Sequence, residues 1–160
     1  MNKLFAVLAL AALWCGIATA RPGEDNPVIL TVAPLDTVPA AAGDTVMVSV
    51  PLKITPGFHV NANPASSEDY IPLAVQFDSS AFLHPLKPDY PQGLSHRIEE
   101  LDETLLVYDH GVTIKVPVVI DKNTEAGTYP LKGIVEFQAC DDHVCFMPEA
   151  RPLRAVIVIP

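Results

Sequence analysis

Thr45-Val46-Met47-Val48-Ser49-Val50-Pro51-Leu52-Lys53-Ile54 is the stretch whose reading decides the fold. Val46, Val48, Val50, Leu52 and Ile54 alternate with Thr45, Met47, Ser49, Pro51 and Lys53, and such period-two alternation sets one row on a buried face and the other mainly towards solvent. Pro51 has no N–H to give to a ladder, so the strand is expected at a sheet edge or interrupted at that residue. Working outward, Val112–Ile120 repeats the pattern through Val112, Ile114, Val116, Val118 and Ile120, and Ile71–Asp78 carries it through Leu73, Val75 and Phe77. Val28–Leu35 is a mostly apolar run that reads as a first strand. Thr128–Cys140 and Pro152–Ile159 close the chain as an expected hairpin.

The connections read as turns and loops. Pro39–Asp44 and Asp121–Gly127 suit turns, and Thr55–Pro64 reads as a turn followed by a short half-polar strand. Ser79–Gly93 contains Pro85, Pro88 and Pro91 and is expected to be a loop. In Ile98–Leu106, Ile98, Leu101 and Leu105 have helical spacing among Glu99, Glu100, Asp102 and Glu103, so one or two helical turns and a solvated acidic loop both fit. Leu105–Tyr108 reads as a short strand. The sum is all-β: roughly seven to nine short strands in an immunoglobulin-like antiparallel β-sandwich, with an up-and-down barrel as the alternative.

Met1-Asn2-Lys3, the apolar block Leu4–Ile17 and Ala18-Thr19-Ala20 before Arg21 read as a secretory signal over residues 1–20. An uncleaved anchor is the alternative. Cys15 raises lipoprotein processing, but Trp14 stands where such signals need a small residue. Residues 21–160 are then a single exported domain, expected in the periplasm, with no linker or repeat and no direct membrane insertion after cleavage. The net charge of −9 over 160 residues argues against nucleic acid and anionic membranes as partners. Of three cysteines, Cys140 and Cys145 remain, in a compartment where disulfides form and persist.

The pair sits in Phe137-Gln138-Ala139-Cys140-Asp141-Asp142-His143-Val144-Cys145-Phe146-Met147-Pro148-Glu149. Strand alternation sends Cys140 out on the more polar side, so it is expected near the surface. Spacing leaves three readings open. A staple closing a loop of about six residues stabilises by roughly 2 kcal/mol, against about 4 for a loop of a hundred, which makes this a weak place for one. A metal clip would draw on Cys140, His143, Cys145 and Met147, but no further Cys or His pair completes a zinc set. As a redox pair, the thiols would feel Asp141 and Asp142, which disfavour a thiolate, and His143, which opposes them when protonated. That predicts a sluggish dithiol which depends on a partner to activate it. His59, beside asparagines, reads as a hydrogen-bonded structural histidine.

Phe137-Gln138-Ala139-Cys140-Asp141-Asp142 with Val144-Cys145 and Pro148 resembles the cysteine hairpin of the amino-terminal periplasmic domain of the thiol:disulfide interchange protein DsbD and its stand-alone relatives. Pro56-Gly57-Phe58-His59-Val60-Asn61-Ala62-Asn63-Pro64 with Ile71-Pro72, Tyr90-Pro91-Gln92-Gly93 and Val107-Tyr108-Asp109 match in the same order, so the resemblance spans most of Thr45–Leu153. It implies an immunoglobulin-like sandwich with a reversible Cys140/Cys145 disulfide, acting as a protein-disulfide oxidoreductase without cofactor or metal. Cys145 would meet partners and Cys140 would resolve. It further implies electrons from a membrane thiol reductase with a thioredoxin-like domain, delivered to a periplasmic disulfide isomerase or a thioredoxin-like protein of cytochrome maturation. Family members cover the cysteines with a lid bearing an aromatic ring and acidic residues. Here Glu99 and Glu100 fit the lid, Leu101 stands where the aromatic is expected, and Phe58 is a second candidate cover. Because the sequence contains no thioredoxin domain, the electrons are expected from a separate protein. The alternative of another class is a binding or assembly module whose disulfide only shapes its loop.

Overall fold

In the computed structural model, which describes residues 28–99 and 102–160, the alternating stretch is one strand, β3 (Thr45–Ile54), with Val48, Val50, Leu52 and Ile54 buried. The expected signal over residues 1–20, Glu100 and Leu101 lie outside the described residues. On one side β3 pairs antiparallel with β9 (Gly111–Ile120), from Thr45 opposite Val119 to Lys53 opposite Gly111. On the other it pairs with β1 (Leu30–Val32). The strand is therefore interior, which corrects the expectation of an edge. What ends at Pro51 is the neighbour's ladder: Ala33 N–H donates to the Pro51 carbonyl at 3.0 Å just past the last paired residue of β1.

The first sheet runs β1-β3-β9-β6, where β6 (Leu83–Pro85) is a short strand inside the expected loop Ser79–Gly93. The second runs β2-β12-β10-β5 and is built on the expected terminal hairpin. Its strands β10 (Gly127–Phe137) and β12 (Glu149–Ile159) pair along their whole length, from Gly127 opposite Ile159 to Phe137 opposite Glu149. β5 (Ala74–Phe77) lies on one side. β2 (Thr37–Pro39) lies parallel to β12 on the other, a departure from an all-antiparallel sandwich. The apolar rows of the two sheets form one core, with Val48, Val50, Ile114, Val116 and Val118 from the first and Val75, Leu131, Val135, Leu153 and Ile157 from the second. Fully burying each such side chain is worth about 1.5–3 kcal/mol, so this two-layer core is the main source of stability. At Gly133 the fit is close: a Cβ there would stand 2.2 Å from the Gln76 carbonyl oxygen on β5, so only glycine lets β5 and β10 pair.

Beyond β3 and β9 the same pair of chain segments continues into a third sheet, β11-β4-β8-β7, formed by β11 (Ala139–Cys140), β4 (His59–Asn61), β8 (Glu103–Asp109) and β7 (Leu94–Ile98). Thr55-Pro56-Gly57-Phe58 makes the corner: Phe58 N–H donates to the Thr55 carbonyl at 3.1 Å, and Gly57 has φ 86°, which a proline–glycine turn needs at its third position. β7 was unassigned in the sequence. Where a helical turn or an acidic loop was expected, Ile98 ends β7, Glu99 enters a turn and Glu103 starts β8.

Two tyrosines tie the loops to the sheets. Tyr90 Oη accepts from Val75 N–H at 2.9 Å, and Tyr108 Oη accepts from Asn63 N–H at 3.4 Å and donates to the Pro91 carbonyl at 2.7 Å. Burial pushes both phenols above the ordinary range, the accepted N–H bonds opposing in part. Because the folded state holds these protons more tightly than the unfolded chain, their contribution is intact below about pH 10 and is lost as pH rises through the folded values. An absorbance titration of the phenols should show Tyr90 and Tyr108 ionising late and together with unfolding. Assigned resonances ionising at the free-phenol value in the folded protein would contradict this.

Candidate functional site

Strand β10 faces its apolar row to the core as far as Phe137, then breaks at Gln138 and resumes as β11, which has left the second sheet and pairs with β4 of the third. Ala139 lies opposite Val60 and faces the core, and Cys140 lies opposite His59 on the other face. The alternation read from sequence therefore gave the right face, but Cys140 is 1 % exposed, not at the surface. Its row across the sheet is Cys140, His59, Asp109, and the returning chain closes over it, Phe146 N–H donating to the Ala139 carbonyl at 2.8 Å. Cys140 is joined by a disulfide to Cys145, which is exposed.

The loop between the sulfurs is shaped by Asp141. Its Oδ1 accepts from the N–H groups of His143 and Val144, both at 2.8 Å, while its own N–H donates to the Val144 carbonyl at 3.0 Å. The Val144 and His143 N–H bonds hold the Asp141 carboxyl below its ordinary value. The sequence assigned Asp141 to thiolate electrostatics; its carboxylate is engaged with the loop backbone. Gln138 Nε2 donates to the Phe146 carbonyl at 3.0 Å and fastens the returning chain. The exposed side chains of Val144 and Met147 make an apolar rim beside Cys145.

Asp142 points away from this turn towards β7, where its Oδ1 lies 3.4 Å from His96 Nε2. His96 in turn lies against His59, ring centroids 4.5 Å apart. His59 is 3 % exposed and its Nε2 has no hydrogen-bond partner, so the expected hydrogen-bonded structural histidine is not what is found. Burial, then the neighbouring His96, lowers its pKa against the opposing pull of Asp142, Asp141 and Asp109, so it is neutral at pH 7. His143 is exposed and shares a shallow cleft of about 290 Å³ with Glu99, Asp142 and His96. Phe58 packs its ring on Phe146, centroids 5.8 Å apart, and lines a smaller cleft with His59, His96 and Asp142. The structure thus gathers Cys140, Cys145, Asp141, Asp142, His143, Glu99 and Phe58 at one end of the sandwich. Glu100 and Leu101 lie outside the described residues. His96 and Asp109 were missed as site residues: a strand at Leu94–Ile98 carries no apolar alternation, and Asp109 was named only within the matching segment Val107-Tyr108-Asp109.

A β-sandwich that ends in a short strand with one buried and one exposed sulfur, joined through a loop, has the make-up of a thiol–disulfide exchange domain. Residues 29–156 match the family described as thiol:disulfide interchange protein DsbD, N-terminal, and the chain belongs to that family. Among solved structures it is similar to the DsbD N-terminal domain of Neisseria meningitidis in its reduced form, with 21 % identity, 72 % of this chain and 78 % of that one covered, and a TM-score of 0.45. It is also similar to the N-terminal periplasmic domain of ScsB from Proteus mirabilis, with 13 % identity, 78 % of this chain covered and a TM-score of 0.52. The chain spans 43 % of that ScsB structure, and the likeness is one of fold. No curated protein matches the sequence. Among the described residues no helix is long and apolar enough to cross a membrane.

Proposed function

We propose that this chain carries reducing equivalents in the periplasm, from a membrane thiol reductase with a thioredoxin-like domain to a disulfide isomerase or thioredoxin-like protein, with Cys145 as the sulfur that meets partners and Cys140 as the resolving one. The observation that carries the reading is the unequal exposure of the two sulfurs: Cys145 is exposed while Cys140 lies within a backbone-paired strand at 1 % exposure. Loading begins when a thiolate of the reductase attacks Cys145 Sγ. The Cys140–Cys145 bond breaks, and its electron pair stays on Cys140 Sγ, which takes a proton. The reductase's second thiolate attacks its own sulfur in the mixed disulfide, so that Cys145 leaves reduced and the reductase leaves oxidised. Delivery runs in reverse order: Cys145 thiolate attacks the target disulfide, and Cys140 thiolate then attacks Cys145 Sγ and frees the reduced target. Two electrons and two protons pass in each cycle. Glu99, which shares a cleft with Asp142 and His143, supports the role of a lid residue that handles these protons.

The test is partner trapping. Expressed with its export signal, Cys140→Ser leaves Cys145 free and should accumulate reductant-sensitive mixed disulfides on non-reducing gels, while Cys145→Ser should accumulate few. Equal trapping by both variants, or a wild-type disulfide inert to reduced thioredoxin, would refute the assignment.

A further inference from the structure

We infer that His59, His96 and Asp142 form a binding site for a borderline divalent cation of the zinc type, set beside the disulfide. The donor atoms of the three side chains lie within 4.8 Å of one another. Ligands around a tetrahedral zinc at about 2.0–2.1 Å stand roughly 3.4 Å apart, and the pair His96 Nε2 and Asp142 Oδ1 already has that spacing at 3.4 Å. His59 must close the remaining gap from its side, or the other two must move towards it. His96 is half-buried and Asp142 exposed, so both have room to do so.

The second observation is independent of the spacing. His59 Nε2 is buried without any hydrogen-bond partner, although a buried polar atom left alone costs about 1–3 kcal/mol. Its ring is held against a second imidazole at 4.5 Å, an arrangement that a shared cation satisfies. Asp141 and Asp109 add negative charge around the same ring, which favours a cation over an anion or a neutral ligand. Two imidazoles and a carboxylate are the donor set of three-ligand zinc sites that leave a fourth position open. The set differs from the clip of Cys140, His143, Cys145 and Met147 considered from sequence: here the sulfurs are engaged in the disulfide and His143 takes no part.

The experiment titrates zinc chloride into the exported protein in its disulfide form by calorimetry in a non-chelating buffer, so that no free thiolate competes. One equivalent should bind, with the imidazole resonances of His59 and His96 shifting together. His96→Gln and Asp142→Asn should each weaken binding by more than about tenfold. His143→Gln and His110→Gln should leave it unchanged. His59→Gln should abolish it; should that variant fail to fold, the two surface variants carry the test. No stoichiometric binding, binding indifferent to His96→Gln and Asp142→Asn, or binding lost with His143→Gln would overturn the site. None of these outcomes bears on trapping by Cys145, so the inference and the exchange function fail separately.

Discussion

Phe137→Ala is expected to destabilise the domain by about 3–5 kcal/mol, read as a fall in the urea midpoint at unchanged slope. Phe137 is among the largest fully buried side chains, at 1 % exposure, and it is the last residue of β10 before the break at Gln138. Its ring fills the core under the cysteine loop, and the Arg151 guanidinium lies 5.6 Å from its centroid on the neighbouring strand. Alanine leaves a cavity that rigid neighbouring strands cannot close and removes the cation–ring contact as well. Phe137→Leu should recover more than half of the loss, since it restores most of the volume. A cost below about 1 kcal/mol for the alanine variant would mean that the cysteine end of the sandwich contributes little to the cooperative core.

In the reduced protein, iodoacetamide should modify Cys145 roughly a hundred times faster than Cys140, because a sulfur inside a paired strand reacts only after local opening. The ratio follows from the environment and not from the chemistry of the thiols. Cys145 stands on an exposed loop, while Cys140 has His59 opposite it on β4 and the returning Phe146 bonded back to Ala139. Mild denaturant that loosens β11 should raise the Cys140 rate and leave that of Cys145 nearly unchanged. Equal rates in native buffer would mean that β11 detaches once the disulfide opens, and the order of attack proposed for the two sulfurs would lose its basis.

The sandwich was legible because its longest strands are half-buried: Thr45–Ile54, Val112–Ile120 and the terminal pair alternate as a two-layer fold requires. The short strands were not. Leu94-Ser95-His96-Arg97-Ile98 is held by pairing to β8 and has no buried row of its own, so no periodicity announces it. Proline misled at Pro51, since a missing N–H removes one bond of a ladder and does not make an edge of a whole strand. At the site, the cysteines and their acidic neighbours could be read directly. The burial of Cys140 could not, because it depends on β11 crossing from one sheet to another and meeting β4, a contact between residues some eighty positions apart in sequence that alternation does not encode. The same crossing puts His59 beside the sulfur, which is why a histidine read as structural belongs to the site.

The loop around Asp141 is fastened by bonds that do not involve sulfur: Asp141 to His143 and Val144, Phe146 to Ala139, and Gln138 to Phe146. Once the disulfide opens, these bonds still confine the two thiols to each other's neighbourhood, at an effective concentration far above that of any dissolved thiol. In the delivery step proposed above, a mixed disulfide between Cys145 and a target is therefore short-lived, since the internal thiol outcompetes glutathione for the second displacement. The proposed delivery is thereby biased to completion, and thiols in the surrounding medium are poor competitors for the second displacement.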